Sequence, residues 1–243
     1  MMAGIVRNKK PFLKGAALLG SFAVLFWLIL TPILPGENGR RLTGLEYADK
    51  TFNELSKGSS YFIPAVREDI VPLMGSEVSL RVTLQRPGLA PLAQNLLAGA
   101  GVSTVEAQGA TLAFTGDLGR ILLAATDDAD LLYRNDGQAV SVRSGGAPAL
   151  EVASAWWYLL KPCIQELQKQ QRVADAKAVD QVLTRALEPG NNFYGIEPAK
   201  MSEHILLVCA LLAFYVLYTL WYGFGIYEIF EGLGLVAGGH KEN

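Results

Sequence analysis

The sequence predicts an α+β protein in which two transmembrane helices flank a folded domain. Three observations predict it. Two long apolar runs lie near the two ends, at residues 15–34 and 204–229. The stretch between them has globular composition: Glu37 to Glu203 holds 16 Lys/Arg and 20 Asp/Glu, a net −4. Inside that stretch, residues 77–144 alternate apolar and polar with period two and, between those segments, carry apolar stripes of helical period.

Bulk numbers set outer limits. Of 243 residues, 51% are hydrophobic and 18% charged, an average that conceals lipid-like ends and an ordinary middle. About 165 residues between the runs suffice for a core of their own. The mildly acidic balance argues against nucleic acid as a partner, which would call for a basic face. Cys163 lies in the middle and Cys209 inside the second run, so no disulfide between them is expected. Two isolated cysteines give neither zinc spacing nor haem attachment, and no cofactor is expected. So few cysteines in an extracytoplasmic domain fit a bacterial envelope protein.

Residues 1–14 carry Arg7, Lys9, Lys10 and Lys14 and no acid, and read as a short N-terminal tail. Gly15 to Leu34 is then apolar. It is long for a signal-peptide core, and Thr31-Pro32-Ile33-Leu34-Pro35-Gly36 offers no A-x-A site, so the reading is an uncleaved anchor. The positive-inside rule puts the N-terminus in the cytoplasm; Arg40 and Arg41 weaken that bias without reversing it. With two spans, both termini are cytoplasmic and residues 36–203 lie outside. The expected location is a bacterial inner (plasma) membrane. Ala16 and Gly20, with Ala23 nearby, form a small-x-x-x-small pattern that would let helices approach closely.

Residues 36–76 form a helical lead-in. A helix from Leu45 to Lys57 follows from the stripe Leu45, Ala48, Phe52, Leu55, with Thr43 and Glu46 as a capping box. Gly58-Ser59-Ser60 ends it. Tyr61 to Pro64 is expected to be extended, since the residue before proline avoids helical geometry. Val66 to Met74 holds a short helix limited by Pro72.

In the core, residues 77–144, Glu77 to Gln85 alternates as a half-buried strand, with Val78, Leu80, Val82 and Leu84 on one face. Pro87-Gly88 turns into a helix from Leu89 to Ala98. Val102–Ala107 and Ala110–Thr115 are two strands joined at Gln108-Gly109. Asp117 caps a helix to Tyr133. Asn135-Asp136-Gly137 then leads to a fourth strand, Ala139–Arg143. The order βαββαβ is that of a ferredoxin-like, split β-α-β sheet.

Residues 149–188 form a helical segment. Trp156, Leu160, Cys163, Ile164 and Leu167 share one face, and Val179, Val182, Leu183, Ala186 and Leu187 another. Pro162 marks a kink or break, and Gln168 to Arg172 a bend. The two halves would pack back on the sheet or form a hairpin. Glu188-Pro189-Gly190 closes the segment. The second span, 204–229, starts with Ser202 and Glu203 as cap and first-turn acid. It exceeds the roughly 20 residues a bilayer requires, and Tyr215, Tyr218, Trp221, Tyr222 and Tyr227 crowd toward one end as interfacial aromatics do. Residues 230–243 are a Gly-rich cytoplasmic tail.

Chemistry is sparse in this sequence. His204 sits at the membrane boundary and His240 in the tail, so no histidine is placed for a Ser-His-Asp, Cys-His or zinc site. Gly58-Ser59-Ser60 is not G-x-S-x-G. Asp127, Asp128, Asp130 and Asp136 do not match a calcium loop and read as a solvated face, with Asp130 and Arg134 paired at i, i+4. Thr115-Gly116-Asp117-Leu118-Gly119 is a helix cap rather than a phosphate cradle. The candidate interaction residues are Trp156, Trp157, Tyr215, Tyr218, Trp221 and Tyr222. The expectation is a non-enzymatic accessory, scaffold or assembly subunit whose partners are the lipid bilayer and other membrane or periplasmic proteins, or further copies of itself. An extracytoplasmic ligand sensor and a carboxylate-based envelope hydrolase are the alternatives.

Overall fold

The computed structural model describes residues 6–36, 39–102 and 104–235. In chain order the elements are α1 (Lys9–Leu30), β1 (Leu34–Pro35), β2 (Arg41–Leu42), α2 (Gly44–Ser59), α3 (Ile63–Ile70), β3 (Glu77–Thr83), α4 (Ala90–Gly99), β4 (Thr104–Gln108), β5 (Thr111–Asp117), α5 (Leu118–Tyr133), α6 (Gly137–Arg143), α7 (Ala149–Lys169), α8 (Val173–Val182), α9 (Glu188–Asn192) and α10 (Met201–Leu233). The chain divides into two compact units, one made of Met1–Leu55 with Ala199–Asn243, the other of Ser56–Pro198.

In the first unit, α1 and α10 are long and apolar enough to cross a membrane, with mean hydropathy 2.0 and 2.2. α10, Met201–Leu233, runs beyond its expected span at both ends; α1 starts earlier than expected, at Lys9, but stops at Leu30, and Leu34 lies in β1 instead of the span. Ser202 is not the cap: Lys200 holds that position without a side-chain bond, leaving Ser202 inside the first turn. α10 runs past residue 230, the expected start of the tail, because Gly234 closes it in left-handed geometry at φ +70°. His240 lies outside the described residues.

The two helices pack antiparallel along a seam with heptad-like spacing: Phe12, Gly15, Leu19 and Phe22 face Tyr218, Trp221, Gly225, Glu228 and Gly232. Glycines set the closeness. A Cβ at Gly15 would lie 2.7 Å from the Ile229 nitrogen, and one at Gly232 would lie 2.7 Å from the Phe12 nitrogen. The expected small-residue pair is not the one used, since a Cβ at Gly20 would meet nothing within 4 Å. Lys14 pairs with Glu228, the Trp221 indole donates to the Leu18 carbonyl at 3.1 Å, and the Arg7 and Asn8 amides both donate to the Gly232 carbonyl at 2.9 Å.

After α1 the chain makes a two-rung hairpin, Leu34 opposite Leu42 and Pro35 opposite Arg41. The capping box then starts α2 as its sequence requires: the Thr43 amide donates to Glu46 Oε2 at 2.8 Å and the Glu46 amide to Thr43 Oγ1 at 3.1 Å. These hydrogen bonds hold the Glu46 carboxyl below its ordinary range.

In the second unit, β3, β5 and β4 form a three-stranded sheet in that order, with β5 antiparallel to both neighbours. Val78, Leu80, Val82, Leu112 and Phe114 point into the core. The other face carries cross-strand hydroxyl pairs, Thr83 with Thr111 at 2.9 Å and Thr115 with Ser79 at 3.1 Å. Gly109, at φ +61°, makes the β4–β5 turn. The two sheet edges differ. On the outer edge of β3, Gln170 Nε2 donates to the Ser79 carbonyl at 2.9 Å and Arg172 Nη1 to the Glu77 carbonyl at 2.6 Å. On β4, among the described residues, a single side chain does so: Gln94 Nε2, 3.4 Å from the Val105 carbonyl.

The expected fourth strand, Ala139–Arg143, is helix α6 instead, so the full ferredoxin-like sheet does not form among the described residues. Asp136 explains this: its side chain accepts from the Ala139 amide at 3.0 Å and starts a helix there. Val140 is buried whereas Val142 is 73% exposed, which one face of a strand would not allow. Tyr61–Pro64 is not an extended stretch either. α3 starts at Ile63, with Pro64 in the first turn, where its missing N–H costs nothing. α7 continues through Pro162, because Trp156, Leu160, Cys163 and Leu167 are all buried and packing outweighs one lost backbone bond. The chain then reverses at Gln171 (φ +61°) so that α7 and α8 form a hairpin while α7 also lies against β3.

Glu188-Pro189-Gly190 does not end the helical segment. A π-turn over Leu183–Leu187 widens the helix just before Pro189, and α9 carries on to Asn192. Gly190 is required there, since a Cβ would stand 2.7 Å from the Ala129 carbonyl of α5.

Candidate functional site

The second unit holds a buried polar centre on α5. Ile121, Ala125, Ala129 and Leu132 place this helix in the core, and Asp128 falls on the same buried stripe, 5% exposed. This corrects the expectation that the α5 acids form a solvated face. α7 supplies the partner: Trp156 Nε1 donates to Asp128 Oδ2 at 2.8 Å. Asp128 Oδ1 has no hydrogen-bond partner among the described residues, although Arg143 Nη1, at the end of α6, stands 3.5 Å away. Burial pushes the Asp128 carboxyl up; the Trp156 N–H and the Arg143 charge oppose that shift, and Asp127 adds to it. A cavity of about 280 Å³ lies alongside, lined by Asn95, Leu96, Asp128, Arg143, Ser144 and Trp156 among others.

The neighbouring acids are matched by arginines. Arg67 from α3 reaches Asp127, and its Nη2 lies 3.2 Å from Asp130 Oδ2. Arg134 pairs with Asp130 at 2.9 Å, the expected i, i+4 contact, and Tyr61 donates to the same carboxylate at 2.8 Å. Asp117 caps α5 as expected, accepting from the Arg120 amide at 3.2 Å and also from the Gly75 amide at 2.8 Å.

A second buried charge escaped the sequence reading. Lys57 is 2% exposed. Its ammonium donates to Asn135 Oδ1 (2.9 Å), the Phe193 carbonyl (3.0 Å) and the Ile196 carbonyl (2.5 Å), and stands 5.3 Å from the Tyr133 ring centroid. The Tyr133 hydroxyl donates to the Lys57 carbonyl. Desolvation pulls the Lys57 ammonium down, and Glu197 opposes that. This centre ties the 193–197 loop to the Asn135 turn, where Asn135 itself takes φ +63°. It is a structural clasp with every ammonium hydrogen engaged.

In the first unit, an open cleft of about 620 Å³ lies between Phe22, Leu25, Phe26 and Ile29 of α1, Leu45, Ala48 and Phe52 of α2, and Leu207, Leu211 and Tyr215 of α10. Leu34 of β1 and Tyr47, Tyr215 and Tyr218 also border it. Leu45, Ala48 and Phe52 of the stripe that sequence periodicity identified on α2 line this cleft; Leu55, its fourth member, is buried and does not.

The six candidate interaction residues occupy different settings. Trp156 is inside the core, holding Asp128. Trp157 is half-buried, with the Lys161 ammonium 5.4 Å from its ring. It borders a separate cavity of about 310 Å³ with Arg86, Tyr158 and Asn191. Trp221 and Tyr218 engage α1, Tyr218 with its ring 6.1 Å from Phe22. Tyr215 and Tyr222 are about half exposed, at 58% and 48%. Cys163 and Cys209 are both free thiols.

Comparison with protein-family models, with curated proteins and with solved structures finds no match to this chain.

Proposed function

We propose that this chain is a two-pass membrane protein that serves, without catalysing a reaction, as an accessory, scaffold or assembly subunit of a bacterial envelope complex. In this reading residues 36–203 lie outside the inner membrane and both termini in the cytoplasm, following the cluster Arg7, Lys9, Lys10 and Lys14. The observation that carries the reading is the glycine seam. α1 and α10 satisfy each other through Gly15, Gly225 and Gly232. Phe224 and Tyr227 remain exposed on α10, available to lipid or a partner helix. In the membrane, helix association through such close-packed surfaces supplies the affinity that water supplies elsewhere.

The test is the mass and composition of the full-length protein extracted from its native membrane in mild detergent. Defined other chains, or a fixed small number of identical copies, are expected. A clean monomer with no companion would overturn the subunit reading. A ligand-responsive domain is the second reading, and the observation favouring it is the Asp128 oxygen without a hydrogen bond beside its cavity.

A further inference from the structure

The cavity beside Asp128 has a wall whose hydrogen bonding the fold leaves unfinished. Asp128 and Trp156 both line it, so it reaches the buried hydrogen bond between them. That bond uses Oδ2. Oδ1 has no hydrogen-bond partner among the described residues, although the side chain is only 5% exposed. A buried acceptor left in this way costs stability until something donates to it.

Arg143 lines the cavity on the Oδ1 side. Its Nη1 stands 3.5 Å from Asp128 Oδ1 and its Nη2 3.8 Å from Asp127 Oδ2, at or past the limit of a hydrogen bond. The guanidinium donates no hydrogen bond among the described residues, and at the end of α6 its side chain is 46% exposed. Asp127 is matched by Arg67, so the pair that faces the cavity is Asp128 with Arg143. Other groups add polarity. Gly99, the last residue of α4, lines the cavity, and a helix C-terminus favours positive charge. Ser144 Oγ donates to the Val140 carbonyl at 2.9 Å and keeps lone pairs that accept, while the Asn95 amide both donates and accepts.

Charge narrows the occupant. A carboxylate and a guanidinium share this wall, with their nearest atoms 3.5 Å apart. A simple anion would be repelled by Asp128 and a simple cation by Arg143. A molecule that carries an ammonium and a carboxylate side by side satisfies both. In an α-amino acid the two charged groups share one carbon, which matches opposite charges held this close. The cavity, about 280 Å³, is at the small end of small-molecule sites, which run from about 300 to 1,000 Å³.

We propose that this cavity binds a free α-amino acid, its ammonium donating to Asp128 Oδ1 and its carboxylate accepting from the Arg143 guanidinium. The inference rests on the ligand-responsive reading and names the ligand class. Oδ1 is covered, so entry requires Arg143 to swing from Asp128 onto the ligand carboxylate, which suits the fork of a guanidinium. The ligand would then join four helices, since Asn95, Asp128, Arg143 and Trp156 come from α4, α5, α6 and α7.

The test follows thermal unfolding of the full-length chain in mild detergent with the common L-amino acids added one at a time. The methyl ester and the N-acetyl derivative of any that responds come next, then ethylamine and acetate. At least one amino acid is expected to raise Tm, by about 5–10 °C when supplied at about a hundred times its dissociation constant. Both derivatives, each lacking one of the two charges, are expected to bind several-fold more weakly. Asp128→Asn should abolish the response and Arg143→Gln weaken it, each shift being read against the variant's own Tm. Arg143→Gln changes an exposed side chain and stands if Asp128→Asn fails to fold. A response equal in wild type and both variants would put the ligand elsewhere and overturn the proposal. A methyl ester as effective as its acid, or a response to ethylamine or acetate alone, would overturn the zwitterion and leave the ligand-responsive reading intact. No shift from any probe would leave an ordered water as the partner of Oδ1 and overturn both.

Discussion

Replacing Lys57 by methionine tests whether a buried ammonium, hydrogen-bonded to carbonyl oxygens alone, stabilises the second unit. Three charge-assisted hydrogen bonds are lost, to Asn135 Oδ1, the Phe193 carbonyl and the Ile196 carbonyl. Bonds of this kind contribute about 1.5–3 kcal/mol each. The loss is softened because each acceptor keeps another donor: Gly195 N–H for Asn135 Oδ1, Ile196 N–H for Phe193 and Asn135 Nδ2 for Ile196. It is softened further because several kcal/mol of ammonium desolvation disappear with the charge. The net destabilisation is about 2–4 kcal/mol, which for a domain of this size lowers Tm by about 5–15 °C. Thermal unfolding of the full-length chain in mild detergent, followed by far-UV circular dichroism, measures it. An unchanged or higher Tm would refute the reasoning, showing that desolvation outweighs the three bonds.

Three further outcomes are expected. Gly15→Ile should separate the two long helices, because its Cβ would stand 2.7 Å from the Ile229 nitrogen; protease resistance in detergent should fall, with Gly20→Ile as an unchanged control. Asp128 has its carboxyl raised by burial, so its stabilising contribution is complete below about pH 4 and is lost as pH climbs through the raised value. Relative to wild type, Asp128→Asn should therefore gain Tm between about pH 4 and neutrality, with Asp127, Arg143 and Trp156 as the facing groups; a flat difference would count against the shift. In a Cys209→Ser background, Cys163, buried and with its thiol pushed up to about 12, should react with maleimide only on unfolding; rapid labelling of the native chain would contradict its burial.

What was legible in the sequence was whatever a short window decides. The Thr43/Glu46 box, the Asp117 cap, the β3 alternation and the two long apolar runs all depend on neighbours within one or two turns, and each appears where expected. The failures lie where two local signals compete or a distant contact decides. Ala139–Arg143 alternates well enough for a strand, yet Asp136 caps it as a helix, a competing signal one turn upstream. Pro162 and Pro189 looked like breaks because local rules do not count the buried faces of α7 or the π-turn before Pro189. Asp128 was readable in principle: it stands three residues after Ala125 and four before Leu132, on the core stripe of its own helix. Grouping it with Asp127 and Asp130 hid that. Lys57 gave no comparable signal, since its acceptors come from residues 135, 193 and 196.

The unequal edges of the small sheet give it a direction of growth. A strand arriving beside β3 would have to displace both the Arg172 guanidinium and the Gln170 amide from main-chain oxygens that they already occupy. At β4 an intruder would displace a single long contact from Gln94. Misassembly between nascent copies is therefore funnelled to one side of the domain, where Glu106 stands at the middle of the strand. Two such edges meeting head to tail would set carboxylate against carboxylate, so the strand that invites pairing also carries the charge that repels its own kind.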